Sequence, residues 1–185
     1  MPLVKDGQVV ADRYIRILDE AAVPDDASVI VPAVRLLVDA GEFVLRGGAT
    51  GVLWPNDRNV SELAPFLDRL ALVVLTFPNF RDGRAYSQAR ILRERYRFHG
   101  ELRASGQVLR DQLLFLYRAG FDAFELTKSS DAAAFVEVIR RYSVFYQPAG
   151  DGQSPASRRR ISGPGLPSPG VGLPAEKTDV ASKAH

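Results

Sequence analysis

The chain has 185 residues, no cysteine, two histidines and a formal net charge of +2. Residues 1–147 contain 19 basic and 19 acidic side chains, whereas residues 148–185 contain 5 and 3, so the positive excess lies in the C-terminal part. A net-neutral body lacks the cationic face that nucleic acids bind, and a chain without cysteine excludes disulfides, thiolate metal sites and cysteine-ligated iron–sulfur clusters. His99 and His185 are too far apart in sequence to predict a metal site.

The two ends of the chain carry different signals. The N-terminal sequence MPLVKDGQVV has no apolar signal-peptide core, and no apolar run is long enough to span a bilayer. We therefore expect a cytoplasmic protein without a membrane partner. From Pro148 onward six prolines and six glycines accompany very few large apolar residues. This composition predicts a single α/β domain over residues 1–147 and a disordered, basic tail over residues 148–185.

The first fifty residues give short and weak patterns. Residues 9–18 alternate well enough for a strand or a hairpin arm, and residues 29–31 predict a short strand. Residues 32–45 place Val34, Leu37 and Val38 at helical spacing, and two glycines that follow indicate where that helix ends.

A regular alternation of strands and helices begins at residue 51. Apolar runs predict strands at 51–54, 72–77, 101–104 and 123–126, and amphipathic stretches predict helices at 59–70, 84–96, 108–118 and from 130 onward. Asn59 is expected to cap the first of these helices, and Gly120 to end the third in a left-handed conformation. The spacing of the strands indicates repeated βα units with right-handed crossovers.

These units predict an α/β fold in which a small, mainly parallel sheet is flanked by helices. Two arrangements fit the pattern: an open sheet with helices on both faces, or a half-barrel. We expect the open sheet, because a half-barrel would leave its inward face uncovered unless it dimerised.

The loops after the strands carry the candidate binding residues. In parallel βα folds the carboxyl ends of the strands form one rim, and ligands bind there. We expect an anion site on this rim because it contains several cationic and hydrogen-bonding side chains: Arg58, Arg81, Arg84, Ser105, Gln107 and Lys128. The residues expected to support the site are Asp82, Gly83, Arg103 and Asp111.

Two alternatives stay open for the charged residues of this region. Arg84 lies in a first helical turn, where the dipole disfavours a cation, so either a bound anion or an ion pair with Asp82 should compensate it. The arginines at positions 90, 93, 95 and 97 form either a basic patch or a solvated, ion-paired face around Glu94. No known catalytic motif is present, although five carboxylates could act as acids or bases if their pKa values were shifted: Asp57, Asp82, Glu101, Asp111 and Glu125.

The stretch from Phe77 to Leu126 resembles the bacterial domain-of-unknown-function family 934. The matching positions are Phe77, Pro78, Asp82, Gly83, Arg84, Ser87, Ala89, Arg90, Leu92, Arg93, Gly100, Glu101, Leu102, Arg103, Ala104, Gly106, Val108, Leu109, Asp111, Gln112, Gly120, Phe121, Asp122 and Phe124. Members are commonly described as uncharacterised or as oxidoreductases of sulfite reduction, largely because their genes occur beside sulfite reductase genes. The resemblance thus implies a pathway, with sulfite reductase as a partner and a small oxyanion as a ligand, and it assigns no catalytic residue or cofactor.

The absence of cysteine limits what that description can mean. Sirohaem sulfite reductases tie their haem to an iron–sulfur cluster through cysteine, so this chain cannot be the reductase by itself. We expect an accessory protein or oxidoreductase component of sulfite reduction with an arginine-lined anion site. The alternatives are a noncatalytic module that docks on sulfite reductase, and an independent enzyme that uses a flavin or nicotinamide.

Overall fold

Eight strands account for most of the regular structure in the computed structural model, which describes residues 2–6, 8–18, 21–44, 46–126 and 131–133. In chain order they are β1 Leu3–Lys5, β2 Gln8–Val10, β3 Ile15–Arg16, β4 Val29–Pro32, β5 Thr50–Trp54, β6 Leu70–Phe77, β7 Glu101–Gly106 and β8 Ala123–Glu125. They form one sheet in the order β2-β1-β8-β7-β6-β5-β4-β3.

The sheet is mainly parallel, as the βα rhythm predicts. Strands β3 to β8 lie side by side in chain order and all pair in parallel. Strands β1 and β2 extend the sheet beyond β8 by antiparallel pairing. Because every parallel strand lies beside its predecessor, all right-handed crossovers fall on the same face of the sheet.

The helices are short and connect these strands. They are α1 Ala33–Val38, α2 Ala40–Val44, a 3-10 helix Val60–Phe66, α3 Arg84–Arg90 with a following π-helical segment Ile91–Arg95, and α4 Leu113–Ala119 after a 3-10 turn Arg110–Gln112. Asn59 caps the first 3-10 helix by accepting a hydrogen bond from the Ser61 amide at 3.0 Å. Gly120 ends α4 with φ of 103°, so both predicted helix boundaries are confirmed.

The main hydrophobic core lies between the helices and one face of the sheet. Alternate residues of each strand point into it, as Val52 and Trp54 do in β5 and Leu102 and Ala104 do in β7. The opposite face carries a second, smaller cluster of Ile30, Leu72 and Val74, without any helix residue. Helices of the described residues therefore cover one face, and the expectation of helices on both faces was wrong.

The sheet curls into a half-barrel around the second face. Arg16 in β3 contacts Glu125 in β8, although four strands separate them in the sheet. In a flat sheet these two strands would lie about 24 Å apart, which is beyond the reach of two side chains. The inner face is not left uncovered, because Tyr14 packs on the smaller cluster from the segment before β3. The alternative fold that the sequence left open is the one adopted.

Some predicted helix faces were wrong in detail. In α1 the buried residues are Ala33 and Leu36, whereas Val34 and Val38 are exposed. Leu109, which lies in the helix predicted over residues 108–118, is exposed, and the α-helix starts only at Leu113. The prediction assumed one regular helix in each of these stretches. The structure has short helical segments instead, so the buried positions differ from those of a continuous α-helix.

Two expectations concern residues outside the described ranges. The tail over residues 148–185 and all but three residues of the final predicted helix lie there, and residues 131–133 are helical. Within the described residues, no helix combines the length and the apolar character needed to cross a membrane.

Candidate functional site

Strand β7 places three polar side chains in the interior of the half-barrel. Its sequence ELRASG alternates, so that Leu102 and Ala104 face the helices while Glu101, Arg103 and Ser105 face inward. Arg103 is only 1% exposed, which is rare for an arginine. A buried guanidinium needs carboxylate partners, and the surrounding strands supply them.

Arg103 is held by three carboxylates. Its Nε and Nη2 donate to Glu101 Oε1 at 3.1 and 3.0 Å, and its Nη1 donates to Asp12 Oδ2 at 2.8 Å and to Glu125 Oε1 at 3.4 Å. The Tyr14 ring lies 5.7 Å from the guanidinium carbon. Burial opposes the positive charge, but the hydrogen bond that Arg103 donates to Asp12 and the negative charge of Glu101 outweigh this effect and raise the pKa of Arg103. The side chain is therefore a fixed cation.

Glu125 links this cluster to the carboxyl end of the strands. Its Oε2 accepts a hydrogen bond of 2.5 Å from the Ser105 hydroxyl, and its Oε1 also accepts one from Arg16. At the other end, Lys5 pairs with Glu101 Oε2 at 3.0 Å, and this hydrogen bond raises the pKa of Lys5. The cluster thus contains three cations and three anions: Lys5, Arg16, Arg103, Asp12, Glu101 and Glu125.

A cleft of about 490 Å³ opens beside Glu125, where β7 and β8 end. It is lined by Leu3, Asp12, Arg16, Ser105, Gly106 and Glu125. The position agrees with the general rule that ligands of parallel βα folds bind beyond the carboxyl ends of the strands. Its lining combines one buried charge, that of Glu125, with the partly exposed charges of Asp12 and Arg16.

The positive charge of Arg84, at the start of α3, is compensated by an ion pair with Asp82. Arg84 Nε donates to Asp82 Oδ1 at 2.9 Å and its Nη2 donates to Oδ2 at 2.6 Å, while the Arg84 amide donates to Oδ1 at 3.2 Å. The Arg84 guanidinium, with a smaller contribution from Asn56, holds the pKa of Asp82 well below its usual range. Of the two alternatives for Arg84, the structure contains the pair with Asp82.

Arg81 has a different environment. Its guanidinium carbon lies 5.3 Å from the centre of the Phe80 ring, and it belongs to none of the ion pairs among the described residues. The backbone of Phe80 joins two loops, because its amide donates to Gln107 Oε1 at 3.3 Å and its carbonyl accepts from Gln112 Nε2 at 2.9 Å. The loops after β6 and β7 are therefore fastened together beside Arg81.

The remaining predicted residues have different environments. Arg58 pairs with Glu62 at 2.9 Å and lies 5.5 Å over the Trp54 ring, and the Ser105 hydroxyl is committed to Glu125 in the interior. Asp111 is exposed in the 3-10 turn before α4. Gly83 has an ordinary φ of −82°, so its conformation does not require glycine. Lys128 lies outside the described residues.

The interior cluster was largely missed at the level of sequence. Ser105 was assigned to the rim and Arg103 to the support of the anion site, and Asp12 and Arg16 were not considered. The strict alternation of ELRASG was a usable signal, because the polar face of a strand whose apolar face meets the helices has to face the interior. No such signal marks Asp12 or Arg16, which lie in or beside a strand of two residues.

Another arginine proved structural. Arg90 and Glu94 form the exposed pair expected of a solvated face, at 3.2 Å. Arg93 instead turns inward, where it donates to the carbonyls of Gly120 at 3.0 Å and Gly100 at 2.9 Å and pairs with Asp122.

No group of three or more histidine, cysteine or acidic side chains that could hold a metal ion occurs within the described part of the chain.

A family model matches part of the chain. The model of a family described as bacterial protein of unknown function, DUF934, matches residues 51–157. No curated protein matches the chain. The matched range includes β5 to β8, and with them Glu101, Arg103, Ser105 and Glu125. The strands β1 to β4, which bring Asp12 and Arg16 to the cluster, precede it.

Proposed function

This chain belongs to the DUF934 family of bacterial proteins of unknown function, and we propose that it is an accessory component of sulfite reduction which binds a small oxyanion at the rim of its sheet. The pathway rests on the description that members of the family carry. The anion site rests on the side chains of the loops after β6 and β7.

The observation that carries the anion site is the guanidinium of Arg81, which forms no ion pair within the described residues and follows Phe80, whose amide donates to the Gln107 side chain. Gln107 uses its Oε1 to accept the Phe80 amide, so its Nε2 group keeps two N–H donors for a ligand. Arg81 offers a further set of donors in the planar geometry that suits oxyanions. Both residues adjoin Phe80, whose backbone is fixed by Gln107 and Gln112, so an anion would bind without much reordering of the loops.

Arg58 and Arg84 contribute less in this proposal. Each already donates to a carboxylate, and an oxyanion would have to compete with that partner. Their role is to raise the local positive potential and, for Arg84, to fix the loop through Asp82. The predicted order of importance is therefore Arg81 first, Gln107 second and the paired arginines last.

Calorimetric titration with sulfite and with sulfate under anaerobic conditions tests the site. We expect dissociation constants in the millimolar range or below, and a weakening of roughly tenfold in Arg81→Gln, because a charge-assisted hydrogen bond contributes about 1.5–3 kcal/mol. Arg90→Gln is the matched control, since it removes an exposed arginine from a helix away from the rim. An absence of millimolar binding, or equal affinities in Arg81→Gln and the unchanged protein, would contradict the proposal.

A second candidate function is a noncatalytic module that docks on sulfite reductase. It is favoured by exposed apolar side chains on the same loops: Phe80 and Leu109 are about two-fifths exposed, and both adjoin Gln112. Co-purification with the reductase distinguishes the two functions. The docking module predicts that Phe80→Ser with Leu109→Ser releases the reductase while Arg81→Gln does not, and the anion site predicts a loss of sulfite binding only in Arg81→Gln.

A further inference from the structure

Four charged side chains of alternating sign form a chain of ion pairs, and the first and last of them line the cleft. Arg16 contacts Glu125, Glu125 contacts Arg103, and Arg103 contacts Asp12. The two middle members are buried, with side chains 8% and 1% exposed. The two outer members line the cleft and stay partly open, with exposed fractions of 42% for Arg16 and 34% for Asp12.

Each of the two partly exposed side chains, Arg16 and Asp12, pairs with a buried side chain of opposite charge. Glu125 engages the Nη2 group of Arg16, which leaves Nη1 and Nε without a partner among the described residues. Arg103 engages Oδ2 of Asp12, and the Tyr14 amide donates to Oδ1 at 3.1 Å. Carboxylate oxygens have further lone pairs, so both outer groups can still bind a ligand. Side chains that are already oriented lose little entropy when they do so.

The geometry points to a binding site for a small zwitterion, with α-amino acids as the ligand class. The ligand carboxylate would bind Arg16, its ammonium group would bind Asp12, and Leu3 would provide an apolar wall for its side chain. The cleft of about 490 Å³ falls in the range of roughly 300–1,000 Å³ that small-molecule sites occupy.

The cleft contains charges of both signs, so it disfavours ligands that carry only a positive or only a negative charge. A simple anion at Arg16 would face the carboxylates of Asp12 and Glu125, and a simple amine at Asp12 would face two guanidinium groups. A ligand with both signs meets an opposite charge at each end.

This inference is independent of the oxyanion site. The cleft is built from β7, β8 and the N-terminal segment, whereas Arg81 and Gln107 belong to the loops after β6 and β7. Either site can fail in an experiment without affecting the other, and sulfite should bind without displacing the amino acid.

Thermal-shift measurements with the twenty common L-amino acids, followed by calorimetry, test the site in the full chain. We expect at least one amino acid to bind with a millimolar or lower dissociation constant. Its decarboxylated amine and its deaminated acid should each bind at least roughly tenfold more weakly, because each lacks one charged contact. Equal binding of all three compounds would overturn the zwitterion site, and so would a lack of binding by all twenty amino acids.

Two variants locate the site on the structure. Arg16→Gln and Asp12→Asn remove one open charge each and should each weaken the amino acid roughly tenfold or more. Arg90→Gln is the matched control, since it removes an exposed arginine of α3 that belongs neither to the cluster nor to the cleft, and the affinity for the amino acid should stay unchanged. Unaltered affinity in both variants would overturn the assignment. If either variant fails to fold, the comparison of the three compounds in the unchanged protein still decides it.

Discussion

Arg103 is the residue on which the interior of the half-barrel depends. Replacing it by methionine keeps much of the volume but leaves the carboxylates of Glu101, Glu125 and Asp12 facing one another. Removing one partner of a buried ion pair costs about 3–5 kcal/mol, so we expect Arg103→Met to lower the free energy of unfolding by that amount. Urea unfolding followed by circular dichroism measures it.

The control for this experiment is an arginine with a similar ion pair at the surface. Arg90 pairs with Glu94 four residues later, and both side chains are at least half exposed. Because such pairs contribute about 0.3–0.5 kcal/mol, Arg90→Gln should have almost no effect on unfolding. If both variants lowered the free energy of unfolding equally, the ion pairs of Arg103 would contribute no more to stability than an exposed pair. The interior cluster would then not depend on Arg103.

Gly106 gives a second prediction at the scale of one residue. Its φ is 97°, and a Cβ atom built there would lie 2.5 Å from the Phe77 carbonyl oxygen. Gly106→Ala should therefore lower the free energy of unfolding by at least about 1–2 kcal/mol, the cost of the left-handed conformation alone. Chemical denaturation measures the change.

Gly83→Ala is the matched control for that variant. Gly83 has a φ of −82° and only one atom, at 4.0 Å, near an added Cβ. Alanine should be neutral there, or stabilise the protein by restricting the unfolded chain. A similar loss in both variants would show that the steric argument at Gly106 is wrong.

At the scale of an element, the start of α3 depends on the ionised Asp82 carboxylate. This group accepts the Arg84 amide and pairs with the Arg84 guanidinium, and its pKa is lowered by that pair. A lowered carboxyl pKa stabilises the fold fully above the unfolded pKa of about 4 and loses this effect as the pH falls towards the folded pKa. Asp82→Asn should thus unfold at lower urea concentration at neutral pH, with a difference that narrows below about pH 4.

Asp68→Asn provides the comparison for that pH series. Asp68 is exposed and takes part in none of the ion pairs of the described residues. Its urea midpoint should follow that of the unchanged protein at every pH. An Asp82→Asn difference that stayed constant down to acidic pH would mean that the carboxylate charge is not what stabilises the helix start.

The elements could be predicted where the apolar pattern is long. Strand β6 is a run of eight mostly buried residues, and α3 begins at the predicted Arg84. The pattern fails where elements are short: β3 has two residues and β1 three, and no periodicity can be read from so few positions. The open sheet was preferred for the same reason, since the segment that covers the inner face was not recognised.

The candidate site was predictable only in part. The loops after the parallel strands were expected to carry the site, and Ser105 lines a cleft where β7 ends. The contact between Arg16 and Glu125 joins residues 109 positions apart, and it exists only because the sheet curls. Curvature arises from the packing of all strands together, so a local sequence pattern could not reveal it.

For the whole molecule, the N-terminal segment completes the interior. Residues before the family match supply β4 beside β5, Ile30 of the inner apolar cluster, and Asp12 and Tyr14 around Arg103. Without them β5 would become an exposed edge strand, and Leu72 and Val74 would meet water. The part of the chain that defines the family is thus, in this structure, only one section of a continuous sheet.

This dependence predicts the behaviour of a fragment that begins at residue 51. It should lack a cooperative urea transition and bind a dye specific for exposed apolar surface, because it loses one side of the core, exposes an edge strand and uncovers a buried guanidinium. The full chain, measured in parallel, should unfold in one transition and bind little dye. A fragment that unfolded cooperatively, at a midpoint near that of the full chain, would show that β1 to β4 are an addition to an independent unit. In that case Arg103 would have to be satisfied by Glu101 and Glu125 alone.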